Sequence, residues 1–359
     1  MASTQAAHVL FAAVLAATIG ANTARPAAAA DDYFKGKTIR IIAGSEAGGM
    51  YDTFGRLVSR HLADHLPGKP TIVVADMPGA SGVRATNYLH EVAPKDGTVL
   101  ATFNKSMPFY QAMGEGGIRF KAQEFSWIGA LSQTNDTVAV WHTTGVKTIE
   151  DAKRREIIMG ALSYIGTNWT YPVLLNALIG TKFKIVTGYP SGIAVDHAME
   201  KGEVEGRGSN QWAAWKAIHP DWVREKKIVP LVQVGLGKEV ELPDVPLLSE
   251  LAQGEEQRRM LQFVSETAAM DGPFAGPPGI PAEALAVLRT AFNTMTKEAA
   301  FRAEAEKLSI DLGPLPGEAV EKIVASIMST PPATVEKVKS IIAPPKESEG
   351  GKPASAPAN

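Results

Sequence analysis

Two stretches of this chain combine residue types suited to holding a small anion. Thr38-Ile39-Arg40-Ile41-Ile42 runs into Ser45-Glu46-Ala47-Gly48-Gly49-Met50-Tyr51-Asp52, and Thr71-Ile72-Val73-Val74 runs into Met77-Pro78-Gly79-Ala80-Ser81-Gly82. Each reads as a buried strand, a glycine-rich turn and the start of a helix. A helix N-terminus leaves backbone N–H groups without intrahelical partners and carries about half a positive charge from its dipole, so negative charge is stabilised there. Glycine in such a turn lets a ligand approach the backbone with no Cβ in the way. Two such turns side by side predict a cleft for a small negatively charged ligand.

Arg207 lies in Gly206-Arg207-Gly208-Ser209, which reads as a turn whose glycines hold the backbone near that cleft. A guanidinium fork matches a carboxylate bidentately, so Arg207 is the cation expected to meet the ligand, against the plain alternative of a surface arginine. Tyr164-Ile165-Gly166-Thr167-Asn168 and Gly188-Tyr189-Pro190-Ser191-Gly192 are further turns ahead of predicted helices, and both offer hydroxyl or backbone donors.

Other chemistries are missing from the pattern. Gly44-Ser45-Glu46-Ala47-Gly48-Gly49 has neither the phosphate-loop nor the dinucleotide glycine spacing, so no nucleotide cofactor is expected. No G-x-S-x-G elbow occurs, and Ser81 reads as a cap for the helix after it rather than a nucleophile. His61 and His65 have the four-residue spacing that lets two imidazoles reach one metal. No glutamate follows His61, however, and His61 falls on an apolar stripe, so packing and a solvated helix end are the expectation and no metal is assigned. The chain has no cysteine, which removes disulfides, thiolate catalysis and Cys-ligated metals. No catalytic residue is assigned.

The elements that must position these residues alternate between strand and helix. After the first turn, Phe54, Leu57, Val58, His61, Leu62 and Leu66 recur at three- and four-residue steps, one face of a helix with Asp52 or Thr53 as its N-cap. A strand over 71–75, a helix over 83–92 and a strand over 98–102 follow, which predicts a mainly parallel sheet with helices on its faces. After a strand over 127–131, a second set is predicted: strands at 138–141, 157–161, 184–186 and 228–234, with helices at 148–154, 169–179 and 191–201. A connector at 239–245 leads to a helix over 281–297, and Phe292, Met295, Phe301 and Leu308 predict helices packing back on the first set. Trp169, Trp212, Trp215 and Trp222 fall in the second set, where core packing is the default reading.

Residues 1–30 read as a secretory signal: an apolar run from Val9 to Ile19, no acidic residue, and small residues Ala27 to Ala30 before Asp31-Asp32. The remaining chain, ~330 residues, is long enough for two domains of ordinary size. It carries 35 Lys+Arg against 38 Asp+Glu, a net charge of −3, which argues against nucleic acid or an anionic membrane as partner. From Ala343 the composition is Pro, Ala, Ser, Lys and Glu, too polar to order itself.

In order and spacing these features resemble the tripartite tricarboxylate transporter substrate receptors, the Bug family. The residues that carry the resemblance are Gly48, Gly49 and Asp52 (G-G-x-x-D), Pro78, Gly79, Ala80 and Gly82 (P-G-A-x-G), Pro94, Asp96, Gly97 and Leu100 (P-x-D-G-x-x-L), Pro243-Asp244-Val245-Pro246 with Leu251, and Phe274 to Pro281. The resemblance spans about residues 34–342. It implies a two-lobed periplasmic binding protein fold of the type II kind, with an α/β sheet in each lobe and a ligand cleft between them. Lobe 1 would take 31–132 plus 258–342 and lobe 2 133–257, with a disordered tail over 343–359. It also implies that Ala47, Gly48, Gly49, Tyr51, Asp52, Gly79, Ala80, Ser81 and Gly82 grip one carboxylate through backbone N–H groups and waters. Ser163, Thr167, Asn168, Tyr189, Ser191, Gly192, Arg207, Ser209 and Asn210 would close on its other end.

The implied role is an exported, monomeric receptor without cofactor that captures a di-, tri- or aromatic carboxylate and hands it to transporter subunits in the membrane. Glu46, Trp169 and Tyr189-Pro190-Ser191-Gly192 depart from the family's usual residues and point to a ligand larger, more aromatic or less charged than a small dicarboxylate. Two other readings stand beside it: a periplasmic sensor for a signalling partner, and an exported hydrolase or lyase.

Overall fold

The computed structural model describes residues 33–164 and 166–345; the signal segment and most of the tail lie outside them. Eleven strands are described: β1 (Thr38–Ala43), β2 (Thr71–Asp76), β3 (Val99–Thr102), β4 (Ser126–Ser132), β5 (Asp136–Trp141), β6 (Ile157–Gly160), β7 (Phe183–Val186), β8 (Gly206–Gln211), β9 (Ile228–Val234), β10 (Asp271–Gly276) and β11 (Leu315–Pro316). They form two sheets, in the order β11-β4-β10-β3-β1-β2 and β7-β6-β8-β5-β9. The chain passes from the first sheet to the second between β4 and β5 and returns between β9 and β10, so each sheet heads a lobe.

Both sheets are mixed rather than mainly parallel. β1 pairs in parallel with β2 and β3, but β10 runs antiparallel to β3 and β4. In the second sheet β6 is parallel to β7 and β8, while β5 is antiparallel to β8 and β9. Strands joined by helix crossovers run parallel. Antiparallel pairing enters with β10 in the first sheet and β5 in the second, the strands that carry the chain back from a lobe crossing or out of one.

Alternation along the strands divides the first lobe's core into two faces. Ile39 and Ile41 point to the face covered by helices Met50–His61, Ala282–Met295 and Ala299–Lys307, while Ile42 points to the other. His61 and His65 tie the end of the first helix to the last-named one, through Glu304 at 2.6 Å and Glu298 at 3.1 Å. Phe292, Met295 and Phe301 are buried as their spacing predicts; Leu308, one residue beyond its helix, is exposed. On the second face, Phe103, Phe109, Trp127 and Phe263 belong to an apolar core that continues into the second lobe through Tyr171, Leu174 and Leu175. Helix Pro332–Ile342, expected with the first lobe, packs on helix Thr167–Ile179 of the second, where Trp169 Nε1 donates to the Ile342 carbonyl at 2.8 Å.

Two local expectations are corrected. The segment 148–154 holds one 3-10 turn, Asp151–Lys153, because the Asp151 carboxylate accepts from the Lys147 and Thr148 amides and closes the loop on itself. Gly206-Arg207-Gly208-Ser209 is not a turn but the first part of β8, between β6 and β5. Its glycines serve packing: a Cβ on Gly206 would sit 2.6 Å from the Ala139 carbonyl oxygen, and one on Gly208 only 2.3 Å from that of Asn168. Glycine inside a strand often marks such a close approach.

Replacing Gly208 with alanine therefore forces helix Thr167–Ile179 away from β8. A loss of about 1–3 kcal/mol is expected, the range for overpacking a tight core. It is read from the urea midpoint, and an unchanged midpoint would show that the helix gives way freely.

Candidate functional site

The first turn is less open to an anion than its glycines suggest. Gly49, not Asp52 or Thr53, is the N-cap of helix Met50–His61. The Asp52 carboxylate folds back to accept from the Gly48 amide at 2.8 Å, and the Asp52 amide donates to Ser45 Oγ at 3.0 Å. Asp52 is buried and its other oxygen meets Arg56 Nε at 2.7 Å. Burial works against that charge, but the Arg56 guanidinium and the Gly48 amide outweigh it and hold the Asp52 carboxyl below the ordinary range. Burial and the Asp52 charge push neighbouring Asp76 up. The turn thus carries a built-in carboxylate, which leaves Met50 and Tyr51 as the first-turn amides without an intrahelical or Asp52 partner. Glu46 and Ala47 are exposed.

The second turn has an unusual backbone. Gly79, Ala80, Ser81 and Gly82 have φ of 135°, 46°, 53° and 101°, four successive residues in left-handed territory. Alanine and serine are held there at a cost of roughly 1–2 kcal/mol each. Ser81 does not cap helix Val83–Glu91; its N-cap is Gly82, without a side-chain bond. The turn lies against the ends of β1 and β3, since a Cβ on Gly82 would stand 3.6 Å from both the Gly44 carbonyl oxygen and the Asn104 amide nitrogen. The three strand-end turns therefore converge on one edge of the first sheet.

In the second lobe the expected residues mostly hold that lobe together. Asn168 Oδ1 accepts the Ser209 amide at 3.1 Å, and Ser191 Oγ caps helix Gly192–Lys201 by accepting the Ala194 amide at 3.1 Å. Tyr189 packs against the second-lobe core, and Gly192 leaves room for the Arg207 guanidinium, which a Cβ there would strike. Arg207 Nη1 reaches both oxygens of buried Asp196, at 2.9 and 3.1 Å, and His219 approaches the same carboxylate at 3.2 Å. The Arg207 charge is thus matched inside the lobe by Asp196. Ser163 is exposed, Thr167 opens its helix, and Asn210 Nδ2 is buried without a hydrogen-bond partner.

Where the lobes meet, the structure brings together residues that sequence reasoning missed. Lys105, three residues beyond β3, has its ammonium buried 3.6 Å from Asp136 at the start of β5. Tyr171 Oη, within the second lobe, donates to the same Asp136 at 2.8 Å, and Gln211 Nε2 donates to Asp271 at 3.1 Å, so that the Lys105–Asp136 and Gln211–Asp271 pairs cross between the lobes in opposite directions. Burial disfavours the Lys105 ammonium, but attraction from Asp136 and Asp271 outweighs it and raises the pKa. Burial, reinforced by Asp271, pushes the Tyr51 hydroxyl well up, so it stays protonated at neutral pH. Ser132 Oγ and Thr134 Oγ1 are buried there without hydrogen-bond partners.

Two cavities flank this polar bolt. One, of about 350 Å³, is lined by Ser106, Tyr110, Thr167 and Tyr171; the other, of about 310 Å³, by Gly48, Met50, Ser132, Thr134, Gln211 and Asp271. Gly48 and Thr167, both expected at one ligand, thus face different cavities. Ligands of open α/β sheets gather at the carboxyl ends of strands. That rule, applied to β3 and β4 as well as to β1 and β2, would have pointed to Asn104-Lys105-Ser106 and to Ser132–Asp136.

No protein-family model and no curated protein matches the sequence. Solved structures do. A TctC solute binding protein from Polaromonas, without ligand, is 20% identical over 85% of this chain and 97% of its own, with a TM-score of 0.65. MatC from Rhodopseudomonas palustris, with bound malate, is 17% identical over 85% and 99%, with a TM-score of 0.55. An R. palustris protein with adipate is 18% identical over 85% and 97%, also at 0.55. The chain has the two-lobed fold of these three structures.

Replacing Lys105 with methionine leaves buried Asp136 and Asp271 without the cation. Loss of one partner of a buried pair costs about 3–5 kcal/mol. Because the fold raises the Lys105 pKa above its ordinary ~10.4, the loss should be full at neutral pH and shrink only as alkaline pH removes the ammonium from the wild type. Adding Asp136→Asn should restore part of it, with the asparagine oxygen still accepting from Tyr171. Urea melts at two pH values test this; a small, pH-independent loss would mean the ion pair contributes nothing.

Proposed function

We propose that this chain is a receptor that binds a small organic carboxylate between its lobes, without turning it over, and passes it to a membrane transporter of the tripartite tricarboxylate kind. The observation that carries the reading is the convergence of the β1, β2 and β3 end turns beside a lobe junction where several polar atoms are buried without protein partners. Buried polar groups are almost always paired, with protein, water or ligand. The Gly79–Gly82 turn, the Met50 and Tyr51 amides and the Lys105 ammonium supply donors and positive potential; Thr167 begins a second-lobe helix at the cavity that Ser106, next to Lys105, also lines. Arg207, Asn168 and Ser191 are assigned to holding the second lobe's own turns. Malate in MatC and adipate in the R. palustris protein make carboxylates the first ligands to try. Export to the periplasm follows from the reading of residues 1–30.

The test is thermal melting and calorimetry of the chain from residue 31 with mono-, di- and tricarboxylates and uncharged amides. A ligand at 100 times its Kd adds about 2.7 kcal/mol to the native state. At roughly 2–4 °C per kcal/mol, one acid should raise the Tm by about 5–10 °C. Ser81→Asp keeps a residue type that tolerates the left-handed backbone but adds a negative charge, and should weaken that binding more than tenfold. Absence of a shift with every carboxylate, or turnover of the one that binds, would overturn the proposal.

A further inference from the structure

We infer that the 350 Å³ cavity beside the junction is the seat of the ligand's apolar body, and hence that the solute is a carboxylic acid bearing an aryl or branched alkyl group; this rests on the receptor reading above. The cavity lies between helix Met107–Ala112 of the first lobe and helix Thr167–Ile179 of the second, and Phe109, Met113, Val264 and Ile342 line it. Two of its polar side chains turn their polar atoms elsewhere. Tyr171 Oη is engaged by Asp136, and Thr267 Oγ1 donates to the Val264 carbonyl at 2.7 Å, so both present carbon to the space. Exposed Lys339 and Glu115 stand on its solvent side.

Size and connection fit the same occupant. A dry apolar cavity of about 150 Å³ accepts benzene, so 350 Å³ has room for a substituted ring. Ser106, next to Lys105, and Thr167 at the start of the facing helix also line the cavity, so it adjoins two of the groups assigned above to the charged end of the ligand. Tyr164, 45% exposed, also lines it and stands edge-on to Trp169 with ring centroids 4.8 Å apart. An exposed aromatic ring at the edge of an apolar cavity is surface that a ring-bearing ligand would cover. Trp169 in turn holds the Ile342 carbonyl, so the C-terminal segment Ile342–Pro344 is fastened as one wall.

Calorimetry with four probes separates the possibilities: propanoate, 3-phenylpropanoate, 3-phenylpropanamide and malate. The inference expects 3-phenylpropanoate to bind at least tenfold more tightly than propanoate, with a more negative heat-capacity change from apolar burial. Ala343→Trp, at an exposed position on the cavity wall, should remove that preference while leaving the unliganded melting temperature unchanged. Tyr164→Ala should weaken 3-phenylpropanoate without affecting propanoate. Equal binding of the two acids, or a preference that survives Ala343→Trp, would overturn the subsite while leaving a carboxylate receptor in place. Equal binding of 3-phenylpropanamide and its acid would support the subsite and overturn the carboxylate reading, and binding of none of the four would overturn both.

Discussion

A buried ammonium among carboxylates decides how the two lobes meet. Lys105 comes from the end of β3, Asp136 from the start of β5 and Asp271 from the start of β10, so the charges sit where the chain crosses from one sheet to the other and back. Neither carboxylate is tolerable in that setting without a cation, and the cation is tolerable only between them. Tyr171 and Gln211 add hydrogen bonds from the second lobe, which turns a charge balance into a fixed geometry. The register of β5 against β8 follows the same constraint, because Asp136 stands opposite Gln211.

The two glycine turns solve different problems despite their similar composition. The first is stabilised by its own Asp52, whose carboxylate takes one of the amides that an external anion would use. The second has no such internal acid and instead holds Ala80 and Ser81 in a left-handed backbone. Strained backbone persists only where surrounding structure imposes it, and often where a ligand must be met. Here the surroundings are the ends of β1 and β3, close enough to Gly82 that the turn has little room to relax. Under the proposed function, the difference favours the second turn over the first as the anion's partner.

Much of the fold was legible because its signals are local. Alternating apolar runs and three- and four-residue steps located β1 to β4, and the order of the turns suggested two lobes. Three things were not legible. Gly206-Arg207-Gly208-Ser209 has turn composition, yet its glycines answer to the backbones of Ala139 and Asn168, which are distant in sequence. Arg207 looked available because its partner Asp196 lies on the helix before β8, a contact made only by folding. The Lys105 cluster draws its members from β3, β5, β8 and β10, so no window of sequence contains it. Resemblance to a family located the turns but not the charges between them.

The packing on the two faces of the junction differs, and this bears on how a ligand is admitted. On one face the apolar core runs unbroken from Phe109 and Phe263 into Tyr171 and Leu174, so parting the lobes there would expose buried hydrocarbon at about 25 cal/mol per Å². On the other face, Lys216 of the second lobe reaches Asp311 of the first at 3.5 Å; both side chains are partly exposed, and such a pair is worth about 0–1 kcal/mol. Relative motion of the lobes that opens the Lys216 side and pivots on the Phe109 side therefore exposes less hydrocarbon than the reverse, at the cost of the Gln211–Asp271 bond. The 350 Å³ cavity is lined by Phe109, Val264 and Tyr171 of that pivot, so its shape is largely kept through such a motion. A ligand's apolar body would then be sorted by a preformed space, and its charged end by the turns that the moving lobe brings together.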